Sequence, residues 1–160
     1  MEGSGKVDCH AEPLDPLRLD LQLCFALYTA SNLMTRIYRP LLQPLGLTYP
    51  QYLALMALWE RAPQTVGELG RRLGLDSGTL TPLFKRLEAA GLVTRTRDPA
   101  DERRVAIDLT PAGRALKKKA ASVPEAVLCQ LPMPLEDAVA LKAMVERLNQ
   151  GLRADDAPAG

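Results

Sequence analysis

A mainly α-helical fold with one small β-hairpin is the class predicted by this 160-residue sequence. Apolar residues recur at three- and four-residue spacing over several long stretches, which is the period of a helix with one buried face. Two such stretches, "TVGELGRRLG" and "LDSGTLTPLFKRLEAAG", are separated by about three residues, the pattern of a helix-turn-helix. Directly after them "LVTRTR" and "RRVAIDLT" alternate in strand fashion around "DPADE", which has turn chemistry. The length suits one domain.

Taken in order, residues 1–13 and 153–160 carry Gly, Pro and charge without periodicity and are expected to be mobile tails around one domain over 14–152. The first helix is expected from Leu17 to about Tyr38, closed by Pro40, Pro44 and Gly46. "TYPQYLALMALWER" predicts a second, with Pro50 in its first turn. In the third, Thr65 and Glu68 have capping-box spacing and Gly74 stands just past the end. The fourth opens on Asp76 or Ser77 as N-cap and closes on Gly91. After the two-stranded hairpin, Thr110 and Pro111 are N-cap and first residue of a helix reaching about Leu128. Pro132 and Pro134 separate it from a last helix near 135–151. The whole is a winged helix-turn-helix with long helices at both ends, its DNA-binding part at about 62–110.

No apolar run reaches the roughly 18 residues of a membrane span, and the segment before Leu14 has no signal-peptide core. The chain is therefore expected to be soluble and cytoplasmic, without a membrane partner. The net charge is only +1, but it is unevenly placed. Met1 to Asp20 carries two bases and five acids, whereas Arg71 to Lys119 carries twelve bases and six acids. The second segment is where a polyanion would bind. The three cysteines, Cys9, Cys24 and Cys129, lie far apart with no CxxC pair, so neither a disulfide framework nor a metal site is expected, and no cofactor. Cys9, beside His10, is read as a bystander.

A recognition helix needs small hydroxyl and basic side chains on its first turns. Ser77, Thr79, Thr81, Lys85 and Arg86 supply them, although the same residues would serve an ordinary capped, solvated helix. The hairpin tips the balance, because Arg95, Arg97, Arg103 and Arg104 crowd around one turn where a structural hairpin needs no such number. A narrow minor groove attracts arginine.

The run "GLVTRTRDPADERRVAIDLTPAGRAL" resembles the wing of the MarR family of dimeric repressors, in its aspartate and arginine positions and in the "LTPAG" that follows. The resemblance extends from about Leu17 to Leu152. It implies that Asp101 pairs with Arg103 to hold the wing and that Arg103 or Arg104 enters the minor groove. It further implies a homodimer built from segments 14–45 and 111–152, with two recognition helices reading a palindromic duplex at half-sites roughly 34 Å apart. Within the family, "LDLQLCFALYTASNL" followed by "LTYPQYL" is similar to the organic hydroperoxide sensor branch (OhrR). That similarity implies that Cys24 is the reactive thiol, that Tyr38 and Tyr49 contact it, that Tyr28 lines the pocket, and that Cys129 is the resolving thiol of two-cysteine members.

Helical arithmetic bears on this site independently. At about 100° per residue Tyr28 and Tyr38 each lie about 40° from Cys24 round the helix, on opposite sides, so all three share a face. Along the axis Tyr38 is roughly 21 Å away at 1.5 Å per residue, so it cannot touch the thiol of its own chain. Antiparallel crossing of two copies near Ser31 would bring it opposite the partner's thiol. The thiolate is the nucleophile, and phenol donors favour the charged form. Attack on a peroxide yields a sulfenic acid that a second thiol condenses to a disulfide. The apolar neighbours Leu21, Phe25, Leu27 and Leu33 suit an organic peroxide. A cysteine or tyrosine in an apolar helix is more often plain packing, and two other classes stay open. One is a MarR-type repressor relieved by a small aromatic ligand, with Cys24 merely packing. The other is a thiol peroxidase, disfavoured because Cys24 is expected mid-helix with two turns before it.

Overall fold

The fold turns on a central helix whose apolar residues run round it rather than along one stripe, and a helix apolar all round is a buried one. In the computed structural model, which describes residues 15–155, this helix is α2 (Tyr49–Glu60), preceded by α1 (Leu23–Leu42). Tyr52, Ala54, Leu55, Ala57 and Leu58 of α2 are buried. Thr48 caps α2 through a capping box with Gln51. There follow β1 (Gln64–Thr65), α3 (Val66–Leu73), α4 (Ser77–Ala89), β2 (Val93–Arg97), β3 (Val105–Leu109), α5 (Pro111–Ala120), α6 (Val123–Leu128) and α7 (Leu135–Asp155). The chain divides into two units, Met1–Arg36 and Ile37–Gly160. In the second, α2 packs on α3, α4, α5 and β3, and Leu69, Leu80, Phe84, Leu87, Val93 and Ile107 complete the core.

The winged helix-turn-helix class holds, and the helix ends obey the expected local chemistry. Thr65 and Glu68 close the capping box of α3, and Gly74 ends it at φ 66°, a left-handed conformation that only glycine adopts without penalty. Asp76, not Ser77, caps α4, accepting from the Thr79 amide at 2.8 Å.

Several elements differ from expectation. The first helix begins at Leu23, because the preceding residues form a 3-10 turn over Leu19–Leu21. The Gln22 side chain holds this turn by donating to the carbonyls of Pro16 and Arg18 at 2.8 and 3.0 Å. At its other end α1 runs through Pro40 to Leu42. Pro40 removes the amide that would bond the Arg36 carbonyl, and Arg36 is where the two units divide. The helix expected from Pro111 to Leu128 is two helices. Pro124 has no N–H for the Ala120 carbonyl and its ring crowds that oxygen, so α5 stops at Ala120.

The hairpin is a three-stranded antiparallel sheet in the order β1-β3-β2, with Gln64 opposite Ile107 and Arg95 opposite Ile107 on the other side. Gln64 is 3% exposed and donates to the carbonyls of Ala57 and Arg61, tying β1 to the end of α2. The last helix runs past the expected end, through Asp155. The rest of the two expected tails, with Cys9 and His10, lies outside the described residues.

At the "LTPAG" turn four elements meet. Thr110 caps α5 through the Gly113 amide at 3.0 Å, while its hydroxyl donates to the Gly91 carbonyl at 2.6 Å and its amide to that of Leu92 at 3.1 Å. Gly113 sits so close to the strand entry that an added Cβ would lie 2.0 Å from the Leu92 oxygen. Trp59 of α2 donates its indole N–H to the Gly113 carbonyl at 2.9 Å. Replacing Gly113 by alanine is therefore expected to lower the unfolding free energy by about 1–3 kcal/mol, the cost of overpacking. Denaturant unfolding of the full chain checks this, and an unchanged midpoint would contradict it.

Candidate functional site

Residues expected to face DNA fall into three states. On α4, Ser77, Thr81, Lys85 and Arg86 are exposed. Thr79 is exposed too, but its hydroxyl donates to the Asp76 carboxylate at 3.1 Å, so its proton is already committed. The two bonds from Thr79 hold the Asp76 carboxyl below its ordinary range; Glu68 is lowered in the same way by Thr65.

In the wing, the Asp98 amide donates to the Arg104 carbonyl and the Arg104 amide to that of Asp101, both at 2.8 Å. Asp101 accepts from the Arg103 amide at 3.1 Å and from its Nε at 3.4 Å. The contact implied between these two residues is thus present, yet the Arg103 side chain is 93% exposed. Arg97 and Arg104 are exposed as well. Arg95 differs from these three. It lies on the same face of β2 as buried Val93, half-buried, with its Nε 2.7 Å from Glu88 of α4. It joins the wing to α4 instead of adding to the cluster at the tip.

The thiol residues are divided between the two units. Cys24 and Tyr28 belong to the first, and both are exposed, Tyr28 to 66%. Cys24 is the second residue of α1, not a mid-helix residue with two turns before it. It stands in the first turn, where backbone N–H groups have no acceptor within the helix. The position of Cys24 therefore does not disfavour a thiol peroxidase.

Tyr38, Tyr49 and Cys129 belong to the second unit. Cys129 is exposed at the C-terminal end of α6, its amide donating to the Glu125 carbonyl at 3.0 Å. Tyr38 and Tyr49 are brought together, with ring centroids 4.6 Å apart. Two aromatics absent from the sequence reading extend the cluster: Tyr52 at 5.9 Å from Tyr38, and Trp59 at 6.3 Å from Tyr52. Tyr52 lies three residues after Tyr49, one turn along the same face of α2, and that spacing was the available signal. Among the described residues no group of His, Cys, Asp and Glu is arranged to hold a metal ion. None of the helices described is long and apolar enough to cross a membrane.

Burial, with the neighbouring phenols adding to it at Tyr38 and Tyr52, raises the pKa of Tyr38, Tyr49 and Tyr52 above the ordinary tyrosine value. They are neutral O–H donors throughout the physiological range. Because the folded value is the higher one, their contribution to stability is complete below pH about 10 and is lost as pH rises through the folded values. Absorbance titration at the tyrosinate band is expected to show these phenols ionising late, together with loss of helix. Ionisation of all tyrosines at the unfolded value with the fold intact would contradict this.

The MarR family model matches residues 47–105, from two residues before α2 to the first residue of β3. The chain is 49% identical over 138 residues to the organic hydroperoxide resistance transcriptional regulator of Bacillus subtilis strain 168, covering 86% of this chain and 94% of the relative. Among solved structures, reduced AbfR bound to DNA is 42% identical with a TM-score of 0.73, covering 86% of this chain and 94% of that one. Disulfide-formed AbfR is 41% identical with a TM-score of 0.59, covering 82% and 92%; a further structure identifies AbfR as a protein of Staphylococcus epidermidis. On sequence and fold together, this chain belongs to the MarR family.

Proposed function

We propose that the protein is a homodimeric, DNA-binding transcriptional repressor that senses organic hydroperoxides through Cys24 and leaves its operator when that thiol is oxidised. The observation that carries this reading is the exposed cysteine in the first turn of α1 of a chain 49% identical to an organic hydroperoxide resistance regulator. In the proposed chemistry the Cys24 thiolate attacks the distal oxygen of the hydroperoxide. The O–O bond breaks, the alkoxide leaves and takes a proton as the alcohol, and the sulfur is left as a sulfenic acid. The Cys129 thiol then attacks that sulfur, forming the disulfide and releasing water. The partner thiol is assigned to the other subunit. Neutral Tyr38 and Tyr49 of the partner subunit supply O–H donors to the reacting sulfur, and Tyr28 lines the pocket. The relatives are transcriptional regulators, and here the chemistry is a signal made once per site, not a turnover.

The dimer reading rests on unpartnered apolar surface. Leu17, Leu19 and Leu23 before and in α1, and Leu135, Val139, Met144 and Leu152 on α7, are all exposed in the single chain. Surface of this kind marks an interface, and a second copy is the occupant a two-fold repressor needs. On the DNA side, α4 enters the major groove and the wing arginines the minor groove. Repression takes place in the cytoplasm, where single thiols stay reduced until a peroxide arrives.

Operator binding measured on the region upstream of its own gene, with and without an organic hydroperoxide, tests the sensing step. Wild type is expected to release the duplex on oxidation and Cys24→Ser to stay bound; release of Cys24→Ser as readily as wild type would refute it. Non-reducing electrophoresis should show an oxidised dimer that disappears in Cys129→Ser, and its persistence there would exclude Cys129. Arg104, whose main chain is pinned in the wing turn while its side chain is exposed, is expected to contact phosphate or the minor groove. Arg104→Ala should weaken binding to all duplexes alike and reduce the salt slope by about one. An unchanged slope would remove Arg104 from the interface.

A further inference from the structure

The outward ridge of α4 is almost without hydrogen-bonding groups. Leu80, Leu83, Phe84 and Leu87 are buried, and at about 100° per residue the direction opposite them is occupied by Gly78, Pro82, Lys85 and Ala89, within about 60° of arc. All four are exposed. In a recognition helix the N-terminal turns face base edges, and on these turns the ridge presents Gly78 and then the Pro82 ring. Thr79 and Thr81 flank the ridge on its two sides; the Thr79 hydroxyl proton is committed to Asp76, and Thr81 is exposed.

Pro82 is costly where it stands. A proline in a helix interior forfeits a backbone hydrogen bond and crowds the carbonyl four residues back, about 3 kcal/mol or more. This one is exposed, so it returns nothing in core packing. One turn earlier, Gly78 has no Cβ; one built there would meet only the Asp76 carboxylate, at 3.0 Å. The ridge is therefore a shallow notch followed by an apolar ring. Among the base edges of the major groove one group is apolar, the C5-methyl of thymine.

We propose that Pro82 reads the C5-methyl group of a thymine in each half-site, with the open backbone at Gly78 letting the base edge approach. Pro82 is thus a specificity-determining residue whose selectivity comes from apolar contact. This rests on the DNA-binding reading above and adds to it the chemical feature of the duplex that α4 selects.

The test is fluorescence anisotropy of the reduced full-length protein on the duplex upstream of its own gene, with the thymines of each half-site replaced one at a time by deoxyuridine, which removes only the methyl. One position per half-site is expected to lose about fourfold in affinity, the transfer free energy of one methyl-sized group. In Pro82→Ala the ratio of thymine to deoxyuridine affinity at that position should fall to about one. That variant regains a backbone amide and a strong helix former, so α4 is expected to persist, and helical circular dichroism checks it. Equal affinity for thymine and deoxyuridine at every position, or undiminished discrimination in Pro82→Ala, would overturn the proposal while leaving DNA binding intact. Failure of the wild-type protein to bind the unsubstituted duplex would instead sink the DNA-binding reading, and this inference with it.

Discussion

Close approach of the α5 backbone to the Leu92 carbonyl is the constraint on which the DNA-reading half of the molecule depends. At that point the end of α4, the entry to β2, the exit of β3 and the start of α5 lie within hydrogen-bond reach of one another. Thr110 bridges to Gly91, Leu92 and Gly113, and Gly113 in turn accepts from Trp59 of the buried helix α2. No side chain larger than hydrogen fits at residue 113 without displacing the strand. The wing is thereby fixed relative to α4 at its base, while Arg95 and Glu88 fix it a second time further out. Held at two points, the wing keeps the backbone that carries Arg97, Arg103 and Arg104 fixed relative to α4.

The same helix α2 connects this junction with the aromatic cluster. Tyr49, Tyr52 and Trp59 all project from α2, and Tyr38 of α1 lies against the first two. Tyr49, one of the residues proposed to serve the thiol, is thus built on the element that also carries the bond to Gly113. Sites on rigid elements hold their geometry better than sites on loops. Burial moves the ionisation of the three tyrosines further above the physiological range, so the phenols remain O–H donors.

Short-range rules made much of this legible. The caps at Thr65, Asp76 and Thr110 depend only on residues three positions apart, and the turn at Asp98–Arg104 on backbone and side-chain bonds between near neighbours along the chain. The helix-turn-helix and the wing were readable for this reason, whereas the contact between Asp101 and Arg103 was implied only by the family resemblance. Failures came where periodicity continued through a structural break. Leu17 to Leu21 carry the apolar spacing of a helix yet form a 3-10 turn, held by a glutamine side chain bonding back to Pro16 and Arg18. Cys24 thereby moved from mid-helix to first turn. At the other end of the domain, Pro124 divided a run of helix formers that pattern alone joined.

By itself the sequence determined the helix-turn-helix and the wing that follows it, the caps at Thr65, Asp76 and Thr110, the basic stretch from Arg71 to Lys119, and the residue types of the site. Tertiary structure decided which of those residues are available and which are engaged. Arg95 is tied to Glu88 and Thr79 to Asp76, Tyr52 and Trp59 join the cluster, and a two-residue strand at Gln64 completes the sheet. The physical reason is range. A capping bond or a turn is enforced by neighbours along the chain, whereas an ion pair between β2 and α4, or a strand too short to show a period, exists only after distant segments have packed.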